Sequence, residues 1–185
     1  MSLRVAVIVG SLRKGAFSRA IALALKDLAA PRLELDIVET GDLPLYNPDL
    51  DEGATPAPWQ RFREEVAKAD AVLFVTPEYN RSVPASLKNA LDVGSRPYGH
   101  SVWSKKPCAI VSVSPGGMGG FGANHHLRQS LVFLDMPVMQ QPEAYIGHVN
   151  DALDAEGKVT NENTRGFLKA IADGFADWAE RTRTK

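Results

Sequence analysis

The chain carries one cysteine, no block of like charge and no long apolar run in its 185 residues. A single cysteine excludes an internal disulfide. Cys108 lies within an apolar stretch, as a small buried thiol of a reducing cytoplasm would. Lys and Arg number 21 against 22 Asp and Glu, a formal net charge of −1. Without a basic patch, neither nucleic acid nor an anionic membrane is the expected partner. No segment approaches the ~18 apolar residues of a membrane span, and no basic leader or cleavage site precedes the first apolar run. A cytoplasmic location is the expectation. None of the 4 histidines has another at i, i+4, and the adjacent His125 and His126 diverge on a helix, so no metal site is expected. The absence of a Gly-x-Ser-x-Gly elbow removes the α/β-type serine hydrolase.

What is there is ordinary globular material, 44% apolar and 23% charged, of a length suited to one α/β domain spanning 1–185. Val5–Val9, "AVLFVT" (71–76) and "PCAIVSVS" (107–114) are continuously apolar and read as strands buried on both faces. "RLELDIVE" alternates and suits an edge strand. "MPVMQQP" (136–142) reads as a short fifth strand. Helices are expected after each strand. The first has Ser18 as its cap and Ile21, Leu25 and Leu28 on its inner face. Another carries Trp59, Phe62 and Val66, and the next has Pro84 in its first turn. A helix runs through Leu127, Leu131 and Leu134, and the last places Phe167, Ile171, Phe175 and Trp178 on one face. Residues 41–58 hold four prolines and no usable period, and read as a long loop. Tyr145 to Asn161 reads as turns, with a hairpin at "DAEGKV".

Alternating βα units imply a parallel sheet with helices on both sides. Three interior strands and an edge-like second strand fit a flavodoxin-like three-layer sandwich with five parallel strands in the order 2-1-3-4-5. The switch point then lies between strands 1 and 3, and ligands bind beyond their carboxyl ends. Two loops meet there, "GSLRKGAFS" and "TPEYNRS".

The first loop has the arrangement of a phosphate site. Gly10 and Gly15 match the spacing of the ATP-binding P-loop, but Ala16 and Phe17 stand where its lysine and magnesium hydroxyl belong, so ATP is rejected. G-x-G-x-x-G occurs only later, as Gly117, Gly119 and Gly122, which is a weak dinucleotide signal. A monophosphate suits the loop better: Ser11 and Ser18 offer hydroxyls, Arg13 a guanidinium, and residues 16–18 free N–H groups at a helix N-terminus. On this loop alone, a capped helix with an exposed arginine is the alternative.

"GSLRKGAFSRA", "TPEYNRSVPASLKNALD" and "SVSPGGMGGFGANHHLRQSLVFLDMPVMQQPEAY", with "DLPLYNPDLD" between, resemble the signature regions of the NADPH-dependent FMN reductase family, nearest its bacterial quinone and chromate reductases. The resemblance implies that Ser11, Arg13, Phe17 and Ser18 hold the FMN phosphate. It implies that Pro77, Glu78, Tyr79 and Asn80 line the isoalloxazine, and that Ser114, Gly116 and Gly117 approach its pyrimidine edge. NAD(P)H would pass hydride to FMN, and a small-molecule acceptor would then take two electrons; quinones, chromate, azo compounds and ferric chelates all qualify. No side-chain acid or base is needed for hydride transfer, so no catalytic residue is named. Arg81 stands where relatives often carry an aromatic residue, and with Arg96 it is the candidate for contact with a charged acceptor or cofactor phosphate. A homodimer or homotetramer is implied, with Leu43–Leu50 and the helix from His125 to Leu134 as expected contact surface. The competing class is a flavodoxin-like electron carrier without its own NAD(P)H site, a role that a net charge of −1 suits poorly.

Overall fold

Strands that are apolar on every residue need cover on both faces, and the computed structural model, which describes residues 2–183, supplies it. Five parallel strands, β1 (Leu3–Val9), β2 (Leu33–Ile37), β3 (Ala71–Pro77), β4 (Cys108–Val113) and β5 (Ala144–Ile146), form one sheet in the order β2-β1-β3-β4-β5. This is the flavodoxin-like order expected from the sequence. Alternation divides each central strand between two cores. Val5, Val7 and Val9 of β1 and Leu73 and Val75 of β3 face α1 (Phe17–Ala29) and α6 (Glu162–Thr182). Ala6, Ile8, Val72, Phe74 and Ile110 face α3 (Ala57–Ala67), α4 (Ala85–Gly94) and α5 (Phe121–Phe133). Trp103 closes the second core, its ring 5.9 Å from both Phe62 and Phe74 and its indole N–H donating to Leu91 O at 3.0 Å. Cys108 is fully buried in that core, and burial pushes its thiol pKa up, which leaves it unreactive.

Four local expectations are corrected. Met136–Pro142 is not the fifth strand. Its Val138 makes only an isolated bridge with Cys108, because Pro137 and Pro142 cannot donate to a ladder; the strand is Ala144–Ile146, paired with Val111–Val113. The 41–58 segment is not structureless: Asn47 caps a short helix, α2 (Pro48–Glu52), accepting from Asp49 N–H at 3.1 Å, with Pro48 at its first position. Five residues are too few to display a period. In α6 the buried stripe is Leu168, Ile171, Ala172, Phe175, Ala176 and Ala179, while Phe167 is exposed. Small alanines fill the inward positions, which turns the face away from Phe167. Finally, Ser18 does not cap α1. The cap position is Ala16, no side chain bonds to it, and Ser18 lies inside the first turn with its side chain buried. The expected hairpin is present, with an antiparallel bridge between Leu153 and Val159 after a 3-10 turn at Val149–Ala152. Among the described residues no helix is long and apolar enough to cross a membrane.

The long segment before α3 is pinned against the protein. Asn89 of α4 donates to Leu43 O and Pro44 O and accepts from Tyr46 N–H at 2.8 Å. Asp51 of α2 forms a two-pronged pair with Arg63 of α3 at 2.8 and 2.7 Å, both side chains largely buried. The Arg63 guanidinium holds the Asp51 carboxyl below its usual range.

Candidate active site

Three loops leave the carboxyl ends of the central strands: 10–16 after β1, 78–84 after β3 and 114–120 after β4. The first two are drawn together at the switch point. Gly10 N–H donates to Val75 O at 2.9 Å, and Ser86 Oγ at the start of α4 donates to Gly10 O at 2.9 Å. A Cβ on residue 10 would stand 2.6 Å from Thr76 Oγ1, so only glycine allows this approach. Ser11 Oγ accepts from Arg13 N–H at 3.3 Å and meets Tyr79 Oη at 3.3 Å, which links the two loops at their tips.

The phosphate-like end lies where α1 begins. Ser18 Oγ is the only buried side-chain nitrogen or oxygen among the described residues that has no hydrogen-bond partner. Leaving such a hydroxyl unpaired costs about 1–3 kcal/mol, which marks it as a place where an acceptor belongs. The α1 N-terminus beside it has no side-chain cap, and Arg13 is exposed and in no ion pair among the described residues. Phe17 is partly buried and packs against the first core, which anchors the loop. Hydroxyl, guanidinium and helix N-terminus are all donors, a set that suits a phosphate monoester.

After Pro77, the second loop makes a tight turn in which Tyr79 and Ser82 exchange backbone hydrogen bonds at 3.0 and 2.9 Å. Asn80 and Arg81 occupy its centre with φ of 50° and 63°, the left-handed pair of a type I′ turn. Both oxygens of the Glu78 carboxylate are engaged within the protein. Its Oε2 accepts from Ala123 N–H at 3.1 Å in the first turn of α5, and its Oε1 pairs with Arg81 at 3.1 Å. The carboxylate thus caps α5 through a residue 45 positions downstream. The Arg81 side chain stays 74% exposed at the mouth, beside Met118. His126 Nδ1 meets Ser82 Oγ at 3.0 Å from the far side of the turn.

The third loop is the glycine segment. Ser114 N–H donates to Ile146 O at 2.9 Å, and Ser114 Oγ accepts from Gly116 N–H at 3.1 Å. Its second half rests on the chain after β5, where a Cβ on Gly147 would come 2.6 Å from Gly117 O. The loop carries no charged side chain. Backbone N–H groups next to bare glycines suit the carbonyl edge of a flat ring better than a second anion. On both counts the residues present fit FMN.

The structure therefore brings together Ser11, Arg13, Phe17 and Ser18 on one loop and helix start, Pro77, Glu78, Tyr79, Asn80 and Arg81 on the next, and Ser114, Gly116 and Gly117 on the third. Arg96 lies apart. It follows the C-terminus of α4, about 15 Å of helix rise from the end that meets Gly10, and donates to Ser95 O. One fastening residue was not singled out: Ser86, which was open to reading as a polar side chain in the first turn of a helix leaving the switch point. Among the described residues no three His, Cys, Asp or Glu side chains are grouped to hold a metal ion.

Comparison with known proteins gives the same chemistry. The family model for NADPH-dependent FMN reductase matches residues 3–151. A quinone reductase of Pseudomonas putida is 63% identical over 179 residues, covering 97% of this chain and 96% of that protein. A 2-hydroxy-1,4-benzoquinone reductase of a Burkholderia species is 45% identical, covering 99% of this chain and 100% of that protein. Among solved structures, the flavoenzyme NAD(P)H:(acceptor) oxidoreductase FerB of Paracoccus denitrificans superposes with a TM-score of 0.92 at 42% identity, over 98% of this chain and 100% of that one.

Proposed function

The chain belongs to the NADPH-dependent FMN reductase family, and from that premise we propose that it is an FMN-dependent NAD(P)H:acceptor oxidoreductase whose acceptors are quinones. The observation that carries the reading is the unpaired Ser18 hydroxyl buried at an uncapped helix start, on the switch-point loop, in a chain 63% identical to a quinone reductase. When bound, FMN supplies the redox chemistry, taking hydride from NAD(P)H and giving two electrons to the acceptor.

The chain's own residues bind, orient and select. Ser11, Arg13 and Ser18 hold the phosphate with hydroxyl and guanidinium donors, reinforced by the α1 dipole. Phe17 fixes the loop to the core. Pro77, Tyr79 and Asn80 present the second loop to one side of the ring, and Glu78 keeps that loop docked on α5. Ser114, Gly116 and Gly117 face the pyrimidine edge with backbone groups. Arg81, exposed at the mouth, favours acceptors that carry negative charge, a class that includes ionised hydroxyquinones and chromate; azo compounds and ferric chelates are further substrates of the same open face.

Exposed apolar side chains on the expected contact surface, Leu45 at 76% and Phe133 at 84%, support a homodimer or homotetramer. A lone, buried Cys108 supports a reducing cytoplasm. The test is a visible spectrum of the purified protein followed by stopped-flow mixing with NADH and with NADPH, then with a quinone. A yellow protein bleached by a nicotinamide and reoxidised by the quinone is expected. Bound flavin that neither nicotinamide bleaches without a partner reductase would refute the enzyme reading in favour of an electron carrier.

A further inference from the structure

The glycine segment has a neighbour with chemistry of its own. His148 directly follows Gly147 after β5 and holds φ 48°, a left-handed conformation uncommon outside glycine. Two backbone bonds hold the turn that it opens: Val149 N–H to Ser114 O at 3.2 Å, and Asp151 N–H to the His148 carbonyl at 2.9 Å. The imidazole is thereby turned over the glycine segment. Its Nε2 lies 3.1 Å, and its Cε1 3.6 Å, from the position a Cβ on residue 117 would take.

The ring is exposed and makes no hydrogen bond to any described residue, unlike His125, engaged with Tyr145 Oη at 3.0 Å, and His126, engaged with Ser82. Nothing titratable competes for it on the element beneath, Pro115 to Gly120. On its own turn the charged side chain is Asp151, which accepts from Asn150 Nδ2 at 2.8 Å. On β5 the titratable side chain is Tyr145, a neutral phenol already bonded to His125. An imidazole with no partner among the described residues thus stands beside the backbone assigned to the pyrimidine edge, where reduced flavin is negatively charged.

We propose that His148 is a charge-compensating residue for bound flavin, protonating as the cofactor is reduced so that its cation offsets charge at the pyrimidine edge. The inference rests on the FMN reading above. Hydride delivery brings two electrons and one proton to the ring and leaves one net negative charge; a second proton passes from solvent to the His148 imidazole. Opposite charges in proximity favour both charged forms, so proton uptake and reduction assist each other.

The experiment is a spectroelectrochemical titration of the FMN-loaded protein from about pH 5 to 8, where a histidine changes charge. The variants are His148→Asn, which tolerates the left-handed backbone, and His148→Lys, which keeps a positive charge throughout. The wild-type potential is expected to fall by about 59 mV per pH unit over a segment where His148→Asn falls by about 30 mV, the difference being one proton per two electrons. His148→Lys should keep the high potential without the steep segment. The Kd for oxidised FMN, read by fluorescence quenching, should be the same in all three. Equal slopes in wild type and His148→Asn, with FMN bound alike, would overturn the proposal. A wild-type protein that binds no FMN would overturn the cofactor reading as well, and the fluorescence titration shows this before any potential is measured.

Discussion

Replacing Ser18 by alanine should move stability and cofactor affinity in opposite directions. The side chain is 1% exposed and its hydroxyl has no partner among the described residues. In the protein without cofactor, the unpaired group carries a desolvation penalty of about 1–3 kcal/mol, so deleting one oxygen should return about 1 kcal/mol after allowance for the small space left behind. For a domain of this size that raises the cofactor-free melting temperature by about 2–4 °C. With FMN, the same change removes a hydrogen bond to a charged group worth about 1.5–3 kcal/mol, which weakens Kd by about 10- to 150-fold. Ser11→Ala is the control: its Oγ already has Arg13 N–H and Tyr79 Oη as partners, so its loss should lower the cofactor-free melting temperature. Calorimetry of the cofactor-free protein and a flavin fluorescence titration read the two effects separately. A lower melting temperature in Ser18→Ala would show that the hydroxyl has an internal partner, and an unchanged Kd would remove it from the phosphate site.

Gly147→Ala brings a methyl group to 2.6 Å from Gly117 O, and overpacking of this kind costs about 1–3 kcal/mol in urea unfolding while weakening FMN, since the glycine segment must retreat. Asp51→Asn breaks a largely buried pair and should cost about 3 kcal/mol at neutral pH. Arg63 lowers the Asp51 pKa in the folded state, so the pair's contribution is complete above the ordinary carboxylate range and is lost as pH falls through the depressed value. Melting curves of wild type and variant should therefore converge in acid; a gap constant with pH would refute the ion-pair account. Arg81→Gln should leave stability nearly untouched, because the side chain is 74% exposed, and lower kcat/KM about fivefold for a sulfonated quinone and not for its neutral parent. Equal losses for both acceptors would make Arg81 a structural part of the turn.

The sheet was legible because its strong signals are local. β1, β3 and β4 are apolar on consecutive residues, and the two-sided burial that this demands is what the two cores deliver. β5 escaped because three residues between Glu143 and Gly147 carry no pattern, whereas Met136–Pro142 has strand-like composition and does touch β4 once. Ser18 misled for a similar reason. A serine two residues into a helix and a serine at its cap look alike in sequence, and only the backbone of Ala16 separates them. A hydroxyl not spent on its own helix is left without a partner among the described residues, which is the condition the proposed phosphate contact requires.

The site was legible as residue types and not as commitments. Glu78 shows the difference: its place in the motif does not say what its carboxylate does, and in the structure its oxygens are taken by Ala123 N–H and Arg81. Such a bond spans 45 residues and leaves no periodicity behind. The other fastenings are of the same kind: Ser86 to Gly10, Ser11 to Tyr79, Ser114 to Gly116, Asn89 to Leu43 and Pro44. In each, a short polar side chain fastens a loop, either to a neighbouring element or, as at Ser114, across its own turn. Positioning a cofactor to within a fraction of an ångström requires loops that cannot drift, and loops have no core of their own to prevent it. Much of the polar content of the motifs therefore serves to hold the three loops still, and the groups left over, Ser18, Arg13 and His148, are those whose side chains have no partner among the described residues. A hydroxyl or ring nitrogen that the protein leaves unpaired beside such a frame is the clearest mark of where a ligand belongs.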